Sequence, residues 1–169
     1  ADLGAGSGAV ALAIAHDRPA CEVMGVERDS DALSVARDNA QRLHIENVSF
    51  RQGDWFEPLA GQRFDLIVSN PPYVAEADPH LQQGDVRFEP RHALRAGPAG
   101  LVELRHIISI APSHLHDGGW LCLEHGYDQA LGLVHLLQDA GFVAISQYRD
   151  LAGHVRVSCA QRPSPSSDR

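Results

Sequence analysis

Segments with strand and helix periodicity alternate along this chain, and that alternation constrains the fold more than any other feature. Residues 8–17 carry the apolar pattern of a short helix, and residues 21–27 alternate as a buried strand does. In residues 29–44 the apolar positions recur on one helical face, and Asp29 or Ser30 can cap the start of that helix. Repeated strand–helix units build a mostly parallel sheet with helices on both faces, so the sequence predicts a doubly wound, Rossmann-like α/β fold.

The alternation continues to residue 161 and changes form near the end. Strands and helices are predicted at residues 47–52 (strand), 64–70 (strand), 100–115 (helix), 118–126 (strand) and 128–141 (helix). The run at 64–70 is almost continuously apolar, which is typical of a strand buried on both faces. Residues 142–150 and 154–161 follow each other as strands and predict a C-terminal antiparallel pair. Residues 162–169 have the composition of a disordered tail, so the predicted domain covers 1–161.

Charge and cysteine content restrict the class of protein. The formal net charge is -8 and every basic side chain is an arginine, so the broad basic surface of a nucleic-acid-binding protein is not expected. The three cysteines have no CxxC spacing, which predicts a reducing compartment, a cytoplasmic location, and neither a disulfide framework nor a zinc site. No apolar run approaches the ~20 residues that cross a bilayer, so no membrane partner is expected.

Three segments belong at the carboxyl ends of the first strands, where doubly wound sheets bind ligands. Gly4, Gly6 and Gly8 allow close approach of the backbone to a ligand before a helix begins. Glu27 ends the next strand, roughly twenty residues on, where a carboxylate can accept both ribose hydroxyls. The pair Asp54–Trp55 follows the third strand and offers an acid beside a flat ring suited to adenine. Together these segments predict a nucleoside-type ligand.

The glycine pattern indicates which nucleoside. A diphosphate cofactor requires G-x-G-x-x-G, whereas this chain has G-x-G-x-G after the acidic Asp2. That arrangement resembles the first motif of class I S-adenosylmethionine-dependent methyltransferases. The resemblance implies that the loop from Gly4 through Ala5, Gly6 and Ser7 to Gly8 contacts the methionine part of S-adenosyl-L-methionine, which leaves as S-adenosyl-L-homocysteine.

The segment Asn70-Pro71-Pro72-Tyr73 follows the fourth strand and resembles the signature of methyltransferases that modify a planar amide or exocyclic amino nitrogen. The Asn70 side-chain oxygen and the Pro71 carbonyl can accept both N–H groups of an amide and orient its nitrogen. Pro71 and Pro72 stiffen the backbone, and Tyr73 offers a ring for packing. We therefore assign catalysis to Asn70, Pro71 and Tyr73 and substrate binding to all four residues, with no metal. A proline-stiffened turn without catalytic function is the alternative interpretation.

The sequence after this motif restricts the choice of substrate. The stretch Gln83-Gly84-Asp85-Val86-Arg87-Phe88-Glu89-Pro90, with "GGWLCLEHGYDQ" further on, resembles the HemK/PrmC family of protein-(glutamine-N5) methyltransferases. The resemblance implies methylation of the glutamine in the Gly-Gly-Gln motif of peptide-chain release factors, which modulates translation termination. Cofactor contacts are then expected from Gly4 to Gly8, Glu27, Asp54, Trp55 and Asn70.

Alternatives stay open at this point. The same motif occurs in methyltransferases of a ribosomal-protein glutamine, of DNA adenine and of rRNA guanine, and a non-catalytic cofactor-binding module is conceivable. His125 at a strand end is interpreted as structural rather than as a general base, and Arg87 with Glu89 as an internal ion pair. The family also has an N-terminal helical domain and a central strand just before Asp2, to which nothing here corresponds. We therefore expect a piece of a longer protein whose sheet, taken alone, lacks its middle strand.

Overall fold

A computed structural model describes residues 1–71 and 101–164. The helices and strands are β1 (Asp2–Leu3), α1 (Ala9–Asp17), β2 (Val23–Glu27), α2 (Ser30–Arg42), β3 (Val48–Gln52), β4 (Phe64–Ser69), α3 (Val102–His114), β5 (Leu115–Glu124), α4 (Ala130–Asp139), β6 (Val143–Arg149) and β7 (Val155–Gln161). Short 3-10 turns cover Glu57–Leu59 and Tyr127–Gln129. Each strand and helix predicted in these ranges is present, with ends shifted by a few residues. None of the helices in the described ranges is long and apolar enough to span a membrane.

The strands form one seven-stranded sheet in the order β3-β2-β1-β4-β5-β7-β6. Strands β1 to β5 run parallel, while β7 pairs antiparallel with both β5 and β6. The predicted doubly wound sheet with a C-terminal antiparallel pair is therefore confirmed. Strands β2 and β3 lie on one side of β1, and β4 to β7 lie on its other side. The strand order therefore reverses between β1 and β4, and in doubly wound sheets the ligand usually binds in a cleft at this point.

Helices cover both faces of the sheet because alternate residues of each strand point to opposite sides. Val26 of β2 belongs to a buried cluster formed with α3 and α4, which includes Leu104 and Leu133. Val23 of the same strand belongs to a second cluster that packs against α1 and α2. Asp29 caps α2, since its side chain accepts hydrogen bonds from the N–H groups of residues 31 and 32 at 2.8 and 3.0 Å.

The middle position of the sheet is occupied, contrary to the expectation that the middle strand is missing. Asp2 pairs with Gly25 of β2 on one side and with Val68 of β4 on the other. Leu3 pairs in the same way and is fully buried. Asp2 and Leu3 therefore join the two halves of the sheet at its middle position.

Strand β4 is not buried on both faces along its whole length, which corrects the interpretation of its apolar sequence. Ile67 and Ser69 are buried, but Asp65 and Leu66 are exposed. The short β1 lies only beside the second half of β4, at Val68 and Ser69. Burial along β4 therefore varies from residue to residue, although its sequence is almost continuously apolar.

Cys122 and Cys159 are linked as a disulfide, so the prediction of a chain without disulfides was wrong for these two residues. They lie directly opposite each other on the antiparallel strands β5 and β7, with Cα atoms 4.1 Å apart. Cys21 is free and exposed. Cysteine number and spacing along a chain do not reveal which residues face each other across two strands, and this pairing depends on strand register.

Candidate functional site

A cavity of about 760 Å³ lies at the carboxyl edge of the sheet, around the switch point between β1 and β4. Its size is within the ordinary range for small-molecule sites, about 300–1,000 Å³. The glycine-rich loop, the ends of β2, β3 and β4, and the first turns of α1, α2 and α3 form its walls. Nine residues predicted for the site line it: Gly4, Ala5, Gly6, Ser7, Glu27, Asp54, Trp55, Asn70 and Pro71. The predicted Pro72 and Tyr73, and the Arg87–Glu89 pair, lie outside the described residues.

The glycine-rich loop depends on left-handed backbone. Gly4, Gly6 and Gly8 have φ values of 70°, 54° and 85°, which other residues seldom adopt. The N–H groups of Gly4 and Ala5 both donate to the Val26 carbonyl at 2.9 Å, and so hold the loop against β2. Gly8 is buried beneath the loop and does not line the cavity, and a Cβ there would lie 3.0 Å from the Phe50 ring. Packing therefore explains the glycine at this position, and the cofactor contact predicted for Gly8 stays a prediction.

Glu27 braces this loop. One carboxylate oxygen accepts a hydrogen bond from the Gly6 N–H at 2.8 Å, and the other accepts from the Asp29 N–H at 2.9 Å. An ionised carboxylate has about four acceptor positions, so two bonds leave capacity for ribose hydroxyls. The predicted ribose-binding residue thus has a second function, which is to connect the first and second strand–helix turns.

Asp2 is a site residue that the sequence indicated only as the acid preceding the motif. Its side chain is 3% exposed, lines the cavity and accepts a hydrogen bond from the Ala11 N–H of α1 at 3.0 Å. Burial raises the pKa of Asp2 to about 6, although the Ala11 hydrogen bond acts in the opposite direction. The Asp2 carboxyl therefore holds the start of α1 over the middle strand, and it is shielded from water there.

Trp55 has a conformation that is uncommon for a residue with a side chain. Its φ is 45°, and left-handed backbone at a non-glycine position persists where the surroundings impose it. The indole ring packs beside Gly4, with ring atoms 3.4 Å from the position a Cβ would take there. The ring is half-buried and lines the cavity next to Asp54. This places a flat apolar surface beside the loop, as an adenine site requires.

Asn70 and Pro71 extend from the end of β4 into the cavity wall. The Ser69 hydroxyl donates to the Leu3 carbonyl at 2.6 Å and fixes this end of β4 to the middle strand. Asn70 is exposed and Pro71 is buried, so the amide side chain is accessible while the proline is anchored. Polar acceptors on a rigid support can orient a planar substrate group.

The cavity is strongly acidic. The carboxylates that line it are Asp2, Glu27, Asp29, Asp31, Asp54 and Glu103. Arg28 is the basic residue among the described lining side chains. Such a wall disfavours a diphosphate and favours a ligand with positive charge. No group of three or more acidic, histidine or cysteine side chains in residues 1–71 and 101–164 is arranged to hold a metal ion.

His125 lies outside this cavity and is completely buried. Its Nδ1 lies 2.8 Å from the Gly126 carbonyl and its Nε2 lies 2.9 Å from the Ser158 hydroxyl. A carbonyl can only accept, so Nδ1 carries the proton and Nε2 accepts from Ser158. Burial lowers the pKa of His125 below its usual value. Both ring nitrogens are therefore engaged, consistent with the structural interpretation made from the sequence.

Comparison with known proteins identifies the class. Residues 1–159 match the family model described as a methyltransferase domain, and the chain belongs to that family. A methyltransferase from Pyrococcus furiosus has the same fold, with a TM-score of 0.71 and 19% identity over 96% of this chain and 73% of that one. The Thermus thermophilus 16S rRNA N2 G1207 methyltransferase, solved with AdoMet and guanosine, is 25% identical with a TM-score of 0.64, over 95% of this chain and 36% of that one.

One group of methyltransferases is much more similar. The release factor glutamine methyltransferase of Vibrio cholerae is 53% identical over 161 residues, which are 95% of this chain and 56% of that protein. The resemblance inferred from the motifs is thereby confirmed. This chain spans somewhat more than half the length of the curated relatives it matches.

Proposed function

We propose that this protein transfers a methyl group from S-adenosyl-L-methionine to the side-chain amide nitrogen of the glutamine in the Gly-Gly-Gln motif of peptide-chain release factors. The observation that carries the proposal is the position of Asn70 and Pro71 on the wall of an acidic cavity beside a glycine-rich loop. The 53% identity to a release factor glutamine methyltransferase supports the choice of substrate. Residues 1–161 would constitute the catalytic domain.

The character of the cavity supports this cofactor. Bound S-adenosyl-L-methionine supplies an electrophilic methyl group on a positively charged sulfonium. The acidic wall favours such a cation, and the loop from Gly4 to Gly8 leaves room for the methionine part. Glu27 would accept the ribose hydroxyls through its remaining lone pairs, while Trp55 would pack on adenine and Asp54 would accept from its amino group.

Asn70 and Pro71 would activate the substrate by position. An amide nitrogen is a weak nucleophile because its lone pair is delocalised into the carbonyl. If the Asn70 side-chain oxygen and the Pro71 carbonyl accept its two N–H groups, the nitrogen is held toward the methyl group and charge developing on it is stabilised. Pro72 would stiffen this grip and Tyr73 would pack against the planar amide, as expected from the sequence.

The proposed methyl transfer needs no reactant besides the glutamine amide and S-adenosyl-L-methionine. The nitrogen lone pair forms the new N–C bond while the C–S bond breaks, and its electron pair stays on sulfur to give S-adenosyl-L-homocysteine. One amide proton then leaves to water. His125 is not needed for this loss, because both of its ring nitrogens are engaged in the interior.

The test is intact-mass analysis of a release factor incubated with S-adenosyl-L-methionine and the purified protein. We expect a gain of a single methyl group, and no gain when the Gly-Gly-Gln glutamine is replaced. A ribosomal protein, DNA and rRNA are offered in parallel reactions. Transfer to one of these and not to the release factor would overturn the proposed substrate, and transfer to none would overturn the activity.

A further inference from the structure

Glu103 lines the cavity, although nothing in the sequence singled it out. It lies in the first turn of α3, next to Leu104, which is completely buried in the core. Helix α3 packs against β5, the neighbour of β4 in the sheet. In the strand order β5 is one place from β4 and three places from β2, so the strand on which α3 packs is nearer to the strand that ends at Asn70 than to the strand that ends at Glu27.

The acidic residues of the cavity differ in what their carboxylates do. Asp2 accepts from the backbone of α1, and Glu27 accepts from two backbone N–H groups. Asp29 caps α2. Within residues 1–71 and 101–164, no hydrogen bond or ion pair engages the carboxylate of Glu103. Its acceptor capacity is not used in holding the walls together, although it is half-buried.

The proposed reaction requires the sulfonium to be near Asn70. The strand order β2-β1-β4 separates Glu27 from Asn70 by two strand spacings, roughly 10 Å. The ribose end and the methyl-transfer end of the cofactor would therefore occupy different ends of the cavity. By this strand order Glu103 would lie toward the methyl-transfer end, where positive charge is present before transfer and is absent from the product thioether.

We infer that Glu103 is a specificity-determining residue: its carboxylate makes the site prefer the sulfonium of S-adenosyl-L-methionine to the neutral thioether of S-adenosyl-L-homocysteine. This inference rests on the proposed function. The interaction free energy of two charges several ångströms apart in a half-exposed site corresponds to a roughly three- to tenfold difference in binding affinity. Such a preference would help the product to leave, because the two molecules are otherwise alike.

Glu103 also has a simpler interpretation. An acidic residue in the first turn of a helix interacts favourably with the partial positive charge there. That interaction would stabilise α3 whichever cofactor is bound. Binding measurements distinguish the two interpretations. Stabilisation of the helix would change the stability of the free protein, or the affinity for both ligands equally. The proposed function would change the ratio of the two affinities.

The experiment is titration calorimetry of wild type, Glu103→Gln and Glu103→Asp with each of the two ligands. In Glu103→Gln we expect S-adenosyl-L-methionine to bind roughly three- to tenfold more weakly and S-adenosyl-L-homocysteine to bind within twofold of wild type. Glu103→Asp keeps the charge and should retain most of the preference. The matched control is Glu46→Gln, which removes the same charge from an exposed position in the turn before β3, at the opposite edge of the sheet.

Equal weakening of both ligands, or an unchanged affinity ratio, would overturn the inference while leaving the proposed function standing. An equal change of the ratio in Glu46→Gln would also overturn it, since the effect would then be one of net charge. If wild type binds neither ligand, the proposed function fails as well. The thermal unfolding midpoint of each free variant separates a loss of folding from a loss of recognition.

Discussion

Two polar regions lie at the same carboxyl edge of the sheet and differ in how completely their polar groups are paired. Around the cavity, Asp2 and Glu27 hold backbone N–H groups, while the carboxylates of Asp54 and Glu103 make no hydrogen bond within residues 1–71 and 101–164. At the β5–β7 end, His125 is engaged through both ring nitrogens. In the part of the chain that the structure describes, the first region has carboxylates left for a ligand, whereas both ring nitrogens of His125 in the second region are paired.

This difference shows that a histidine near a candidate active site is not by itself evidence for catalysis. Ser158 donates to His125 and also accepts from the Gln147 side chain at 3.1 Å. The Gly126 N–H is satisfied by the Gln129 side chain at 2.9 Å. Buried polar groups that are fully paired stiffen a structure, whereas unpaired groups on a cavity wall indicate a ligand. We therefore expect substitutions in the two regions to affect different measurable quantities.

The largest effect is expected from Asn70→Ala. The change removes an acceptor from the proposed amide grip, so methyl transfer should fall by roughly 10²–10³-fold, as when a hydrogen-bonding group that stabilises the transition state is lost. Because Asn70 is exposed, folding should be unaffected. Single-turnover methylation and calorimetric cofactor binding measure the two quantities separately. Near-normal turnover would show that the segment after β4 does not orient the substrate.

A second effect is expected in the pH dependence of stability, and Asp2→Asn should remove it. The native state binds the Asp2 proton more tightly than the unfolded chain, because burial raises its pKa from 3.8 to about 6. This carboxyl thus favours folding below pH 3.8, and its contribution is lost as the pH rises through 6. The increase in the pKa of Asp2 corresponds to roughly 3 kcal/mol in the free energy of unfolding.

Urea unfolding of wild type and Asp2→Asn between pH 4 and 7 measures this contribution. The asparagine oxygen can still accept from Ala11, so the difference between the two proteins reports mainly the ionisation. We expect the variant to gain stability relative to wild type as the pH rises. Parallel stability curves would show that Asp2 titrates normally and is not buried as described.

The smallest effect is expected from Ser158→Ala at the β5–β7 end of the sheet. It leaves the His125 Nε2 without its partner, which should lower the free energy of unfolding by about 1–2 kcal/mol. Methyl transfer and its pH profile should be unchanged, because neither Ser158 nor His125 lines the cavity. Val157→Ala, in the same strand, is a control for side-chain truncation. If transfer collapsed while stability stayed the same, the β5–β7 end would belong to the reaction.

Much of this molecule could be predicted from local sequence. The periodicity of residues 29–44 and the capping side chain of Asp29 specify α2, because both depend only on one continuous segment of the chain. The glycine spacing, Glu27 and Asp54–Trp55 converge on one cavity because parallel strands all end at the same edge of a sheet. Such inferences require only the order of the strands and helices.

Other features depended on the packing of distant segments. Register placed Cys122 opposite Cys159 on the antiparallel strands β5 and β7. Glu27 accepts a hydrogen bond from the glycine-rich loop, and Glu103 lines the cavity. Both observations depend on the packing of segments that are distant in the sequence. The amino-acid sequence was enough to predict the order of strands and helices and the chemical groups at the sheet edge, because periodicity and turn chemistry are local. Which of those groups face each other became known from the folded structure, since contacts between distant residues are set by strand pairing and helix packing.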